Sequence, residues 1–207
     1  MADQYKSMTE LAANTTKNSD WTVIRRDLNS QVIISAIHGG AIEPGTTEIA
    51  DLTSQKGDFD YFTFKGTKSK GNEVLHVTSR HYDQPDMMEM VKDKSYAIAI
   101  HGCVGDDKVV YMGGKDENLI RTLTEQFVEL NIKVDQAPQH MSGAHDDNII
   151  NCCSTGKGVQ LELTSGLRKL CFKNQKYNKH SREDQNNWSQ FMDDFTSAIV
   201  KAIKKVQ

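Results

Sequence analysis

Two histidines and two glutamates in this 207-residue chain stand at or near the ends of apolar runs, where metal binding and proton transfer are the natural chemistry. QVIISAI leads into His38 and then Glu43, SYAIAI leads into His101, and GVQLEL carries Glu162. A hydrolytic zinc site takes three protein ligands, mostly His with one carboxylate, and keeps a fourth position open. His38, Glu43 and His101 make such a set. The Gly39–Gly40 pair and Pro44 let the chain turn sharply enough to bring His38 and Glu43 to one point. A histidine beside glycine is, taken alone, more often a turn residue. The conjunction of two strand-end His-Gly pairs with a Glu in a tight turn is what points to one zinc ion.

Glu162 is flanked by apolar residues, where a carboxylate is costly to bury unless it is paired or functional. It is the expected general base, passing a water proton to a leaving amine. The alternation around it equally suits a carboxylate on the solvated face of an edge strand. Downstream, Thr164 to Ser181 contains no acidic residue, and Arg168, Lys169, Lys173, Lys176, Lys179 and Arg182 fall in or next to it. Such a run is commonly a solvated surface. Next to Glu162 it also suits a track for an anionic substrate, with Arg168 placed for a bidentate carboxylate contact and Lys65, Lys68 and Lys70 extending it. His81 is expected to contact substrate or support a ligand, its ring oriented by Asp83, while His76 reads as a structural histidine. His140 and His145 lie in a loop without ligand spacing, His180 reads as surface, and Arg80, Arg121 and Cys103 have no assigned role.

The elements that must position these groups alternate between strand and helix. WTVIRRD, QVIISAI, DFDYFTF, EVLHVTSR, SYAIAI, KVVYMGG, NIKVDQA and GVQLEL read as strands. Helices are expected from Pro44, after Pro85, and behind an Asp116 cap. Trp188, Phe191, Met192, Phe195, Ile199 and Ile203 recur at spacings of three and four, the stripe of a terminal helix lying across the sheet. The fold class is α/β: a single-domain α/β/α sandwich with a mixed sheet, residues 21–207, preceded by a polar segment, residues 1–20, read as a loosely attached arm or short helix.

A net charge of −3 and a pI near 6.2 give no general pull toward nucleic acid or an anionic membrane. Four cysteines, two of them adjacent, suit neither a disulfide scaffold nor a metal clip and read as free thiols. The N-terminal stretch lacks an apolar leader core and no run is long enough to span a bilayer, so synthesis as a soluble cytosolic protein is expected.

HGGAIEPGTTE, LHVTSRHYDQP, AIHG, MGGKDENL, DDNIINCCSTGKGVQLEL and the following Arg168 resemble, in order and spacing, the phage-encoded poly-γ-glutamate hydrolases, from about residue 20 to the C-terminus. The resemblance implies a zinc peptidase with a carboxypeptidase-like fold, acting on the γ-linked polyglutamate of bacterial capsules and slime. By position it carries the zinc-ligand roles to His38, Glu43 and His101, and the catalytic glutamate to Glu162. Four residues separate His38 from Glu43, where peptidases of the wider carboxypeptidase-like group have two, a departure shared by the γ-polyglutamate branch. It further implies a monomer that reaches its extracellular polymer when the host lyses. A carboxypeptidase-like deacylase of N-acyl amino acids, and a catalytically idle module that grips anionic polymer, are the competing readings.

Overall fold

The apolar runs become strands for the reason their composition suggests: most are buried on both faces, as strands inside a largely parallel sheet must be. The computed structural model describes residues 3–207. Its seven strands are β1 (Trp21–Arg26), β2 (Val32–Gly40), β3 (Asp60–Gly66), β4 (Tyr96–Cys103), β5 (Val109–Gly114), β6 (Lys133–Gln136) and β7 (Val159–Thr164), in the order β1-β3-β2-β4-β7-β5-β6. β1 runs antiparallel to β3 and β5 antiparallel to β7, and the other pairings are parallel. The C-terminal ends of β2, β4 and β7 therefore point the same way, which is where an open α/β sheet collects its ligands.

Seven helices complete the α/β/α arrangement: α1 (Met8–Asn14), α2 (Thr46–Gly57), α3 (Pro85–Val91), α4 (Glu117–Glu129), α5 (Ser165–Leu170), α6 (Lys179–Glu183) and α7 (Gln190–Lys204). α2, α4 and α7 cover one face, packing Ile49, Leu123, Phe127, Phe195 and Ile199 onto Ile34, Ile100 and Leu161. Phe195 stacks on Phe127 with ring centroids 4.9 Å apart. The other face carries the short α1 and α3, whose Leu11, Met87 and Val91 pack on Ile33, Phe62 and Ala99 together with 3-10 turns that contribute Leu75 and Ile150. The cap expected from sequence is made, Asp116 accepting from the Leu119 amide, and Ser189 likewise caps α7 by accepting from the Met192 amide. No helix is long and apolar enough to cross a membrane, among the described residues.

Several boundaries differ from expectation. α2 begins at Thr46 rather than Pro44, because the Glu43 carbonyl is already accepting from the Thr46 amide and hydroxyl, and Gly45 has a left-handed φ of 97°. Trp188 lies before α7, in an isolated bridge to Phe172, and only Met192, Phe195, Ile199 and Ile203 of the expected stripe are fully buried. EVLHVTSR is not a strand. β1 already pairs with the free edge of β3, and this segment instead lies over the sheet as two 3-10 turns, Asn72–Leu75 and Ser79–His81. Its backbone groups are spent on side chains: the Val77 carbonyl accepts from His38 and the Thr78 amide donates to Asp3. In the polar N-terminal segment the helix alternative holds, and that helix is docked, with Met8 and Leu11 buried.

Candidate active site

His38 enters the site from the last turn of β2, where the ladder with β3 slips between Ala36 and Gly39. Such a bulge re-aims the side chains that follow it. The two glycines are obligatory. A Cβ on Gly39 would lie 2.2 Å from Thr47 Oγ1, and Gly40, at φ +67°, has Gly66 O at 2.4 Å from the same point. The turn then closes through the Glu43 amide, which donates to the His38 carbonyl at 2.9 Å. Glu43 Oε1 comes to rest 3.1 Å from His38 Nδ1, while its Oε2 accepts from the Gly102 amide at 2.8 Å. That last bond ties the turn to β4, which delivers His101 with its Nδ1 3.2 Å from His38 Nδ1 and 3.6 Å from Glu43 Oε2.

His38 Nε2 donates to the Val77 carbonyl at 2.8 Å, which leaves the lone pair of a neutral imidazole at Nδ1. That lone pair faces a carboxylate oxygen and a second imidazole nitrogen. With His101 also presenting its Nδ1 lone pair, three acceptors meet in a buried place and repel unless a cation, a ring proton or a metal ion, sits among them. The separations of 3.1 Å to Glu43 Oε1, 3.2 Å between the two imidazole nitrogens and 3.6 Å to Glu43 Oε2 are each close to the roughly 3.3 Å between neighbouring ligand atoms that stand about 2.0–2.1 Å from a tetrahedral zinc. The residues present therefore fit a zinc ion. His38 and His101 are only 2% and 3% exposed.

Electrostatics agree with a site built for charge. Burial alone raises the Glu43 carboxyl, but the charge and hydrogen bonds of His38 and His101 outweigh it and hold it well below the usual carboxylate range. Burial lowers His101, and the Glu43 hydrogen bond with the Glu162 and Glu43 charges turns the net shift upward. Glu162 faces His101 in register across the β4–β7 ladder. It is 6% exposed, and its Oε1 accepts from Gln160 Nε2 at 2.8 Å. Burial dominates and raises its carboxyl, the direction a general base needs. The solvated-edge alternative for Glu162 is not what the fold provides, since β7 lies between β4 and β5.

His76 is the residue that sequence reasoning undervalued. Its ring lies on His38, centroids 3.9 Å apart, and the ligand atoms of His38, Glu43 and His76 fall within 4.8 Å of one another. His76 Nε2 stands 4.0 Å from Glu43 Oε1, a longer reach than the 3.1–3.6 Å separations among His38, Glu43 and His101. Its Nδ1 bonds Asp3 Oδ1 at 2.7 Å, and Asp3 Oδ2 accepts from the Thr78 amide. His38 and burial lower the His76 pKa to about 4, against the Asp3 bond. Nothing in the polar N-terminal sequence marks Asp3 for this contact. The one available signal for His76 was its spacing from His81 in LHVTSRHYDQP.

Arg168 has a different task from the substrate clamp expected of it. It is 4% exposed, its Nε donating to Leu163 O at 3.0 Å, Nη1 to Pro44 O at 2.5 Å, and Nη2 to Cys103 O at 2.9 Å. One guanidinium thus ties together the Glu43–Pro44 turn and the ends of β4 and β7. Arg182 is also buried, donating to Tyr177 O and Gly40 O, so the basic run keeps Lys173, Lys176 and Lys179 as its exposed part. Lys65 is taken up by Glu183. His81 is exposed, and Asp83 does not orient it, because its carboxylate binds the Met8 and Thr9 amides at the start of α1. Cys103 is half-buried, its thiol raised to about 11 by burial and by Glu162. Arg121 lines a separate cavity of about 480 Å³ between α4 and the β5–β6 edge that holds none of the clustered histidines and glutamates.

The comparisons with known proteins converge on one group. A family model described as poly-gamma-glutamate hydrolase matches residues 5–198. The chain is 35% identical to UPF0714 protein YndL of Bacillus subtilis (strain 168) over 82% of this chain and 67% of YndL. It is 30% identical to the SPbeta prophage-derived UPF0714 protein YoqZ of the same organism, spanning 62% of that relative's length. A solved bacteriophage poly-gamma-glutamate hydrolase superposes with a TM-score of 0.94 at 30% identity, covering 99% of this chain and 98% of that one. The zinc-free apo form of YndL superposes at 0.91 with 31% identity, covering 99% of each chain.

Proposed function

Because the chain belongs to the poly-gamma-glutamate hydrolase family, we propose that it is a one-zinc endo-hydrolase in which His38, Glu43 and His101 hold the metal and Glu162 moves the proton. The observation that carries this reading is the convergence of three lone-pair donors at 3.1–3.6 Å with a buried carboxylate in register beside them. The zinc-free preparation of YndL supports the choice of metal. A zinc ion held there supplies Lewis-acid chemistry, polarising the γ-amide carbonyl and acidifying water.

Glu162 accepts the proton of the attacking water as oxygen adds to the γ-carbonyl carbon. It returns that proton to the α-amine nitrogen of the next unit as the C–N bond breaks. Its raised pKa suits it to both halves of the exchange. The Val77 carbonyl keeps His38 in the tautomer that presents Nδ1, and the Gly102 amide keeps Glu43 turned inward. Arg168 preserves the spacing of the turn and both strand ends from behind.

The polymer carries one α-carboxylate per unit, and the exposed Lys173, Lys176 and Lys179 provide a cationic approach, so binding weakens with salt. Cleavage within the chain, rather than from its end, is favoured because Arg168, expected to contact a substrate carboxylate, has its donors turned onto backbone carbonyls and is not free to clamp a chain end. The metal set and base all come from one chain, consistent with action as a monomer. A phage source and release at host lysis complete the reading.

The experiment is gel filtration of purified γ-polyglutamate after incubation with the protein, with and without a zinc chelator. The expected result is a rapid fall in chain length that the chelator abolishes. Intact polymer alongside rapid turnover of N-acyl amino acids would replace this reading with that of a small-molecule deacylase.

A further inference from the structure

Arg80 and Asp147 form a bidentate ion pair, Nε to Oδ1 and Nη2 to Oδ2, each at 2.8 Å. The two side chains are 46% and 50% exposed. Their positions are set by residues that already belong to the site. Arg80 lies between Val77, whose carbonyl holds His38, and Tyr82, whose ring packs edge-on to His38 at 6.3 Å. Asp147 precedes Asn148, whose Nδ2 donates to Gln160 Oε1, and Gln160 in turn donates to Glu162. The pair therefore bridges the segment whose Val77 carbonyl supports His38 to the loop whose Asn148 supports Gln160 beside Glu162.

We propose that Arg80 grips the α-carboxylate of the polymer unit beside the scissile bond, and that Asp147 occupies this fork in the free enzyme as a carboxylate which substrate displaces. This rests on the reading of the site as a γ-polyglutamate hydrolase. A guanidinium fork matches a carboxylate in shape as well as charge. Here it is seen holding one. Among the other arginines close to the site, Arg168 and Arg182 are buried and turned onto carbonyls, which leaves Arg80 as the exposed fork. An exposed pair is worth little on its own, so one carboxylate replaces another at small cost. Asp147 meanwhile keeps the fork extended and aimed. The device would select α-carboxylate-bearing polymer over a neutral polyamide.

Steady-state kinetics on size-fractionated γ-polyglutamate at fixed ionic strength test this with Arg80→Ala, Arg80→Lys, Asp147→Ala and the double variant. The expected result is that Arg80→Ala raises KM about tenfold. Arg80→Lys recovers little of it, because an ammonium cannot fork. Asp147→Ala lowers KM by up to about fivefold, the worth of the pair it removes, and has no such effect once Arg80 is gone. An unchanged KM in Arg80→Ala overturns the inference, as does a rise in Asp147→Ala equal to that in Arg80→Ala, which would make the pair a loop clasp. An equal fall in KM when Asp147 is removed from the Arg80→Ala background would reduce it to general charge and overturn it too. Wild-type protein that leaves the polymer intact would overturn the hydrolase reading itself, whereas an active wild type with an indifferent Arg80 overturns this inference alone.

Discussion

The strand-borne half of the site and the half laid over it are built to different tolerances. His38, His101 and Glu162 come from β2, β4 and β7, all central and buried, with Arg168 tying the ends of β4 and β7 to the turn after β2. Asp3, His76, Arg80 and Asp147 come from the N-terminal segment, 3-10 turns and a loop, and rest on side-chain contacts with no ladder beneath them. Rigid sheet holds the groups whose spacing must match a metal within tenths of an ångström. The overlying segments hold groups that meet a polymer varying in position, where easy exchange is useful.

That contrast is most sharply broken by changes to the strand-borne half. His101→Ala should abolish bound zinc by elemental analysis and, with it, depolymerisation. Retention of stoichiometric zinc would move the metal toward His76. Arg168→Ala strips a buried donor from three carbonyls and should destabilise the fold by about 3 kcal/mol or more in denaturant titration. A much smaller loss would mean that the strand ends hold together without it.

The overlying half should give smaller, graded effects. Asp3→Ala removes the carboxylate that orients His76 and should lower kcat/KM by about 10-fold, toward the bottom of the range for supporting contacts of a metal site. Zinc content and thermal midpoint should hardly move. If zinc is lost instead, His76 is a ligand and the two halves are not distinct.

The smallest effect is a pH-dependent one in metal-free protein. Burial raises the Glu162 carboxyl above its unfolded value, so its ionised form opposes folding. That cost is absent below the unfolded carboxylate range, grows as pH rises toward the folded pKa, and then stays constant. Glu162→Gln should therefore be more stable than wild type at neutral pH, with the gap closing as pH falls below about 4. Glu43 has the opposite sign: its carboxyl is held low, so the stability it adds is present above the unfolded range and is lost in acid.

The same division explains what was legible in the sequence. His38, Glu43, His101 and Glu162 stood out because a strand end has a signature, an apolar run broken by Gly or by an incongruous carboxylate. Most of the sheet, the α4 cap and the stripe of α7 followed from the same patterns. The overlying half has no period to read. EVLHVTSR has a strand's composition, yet its backbone is taken by His38 and Asp3, partners 39 and 75 residues away. Arg168 was found but given the wrong partner, since sequence shows a charge near a glutamate and not that three carbonyls close around it. Asp83 was likewise drawn off to α1, more than seventy residues upstream.

The central claim is that a metal held by one set of residues and a proton moved by another cooperate at adjacent strand ends. The most direct measurement is the zinc content and depolymerisation rate of Glu162→Gln beside wild type, in one buffer. The account predicts unchanged zinc at one per chain and a rate lower by about 10²–10⁴-fold. A variant that keeps its zinc and cuts γ-polyglutamate at the wild-type rate would contradict it.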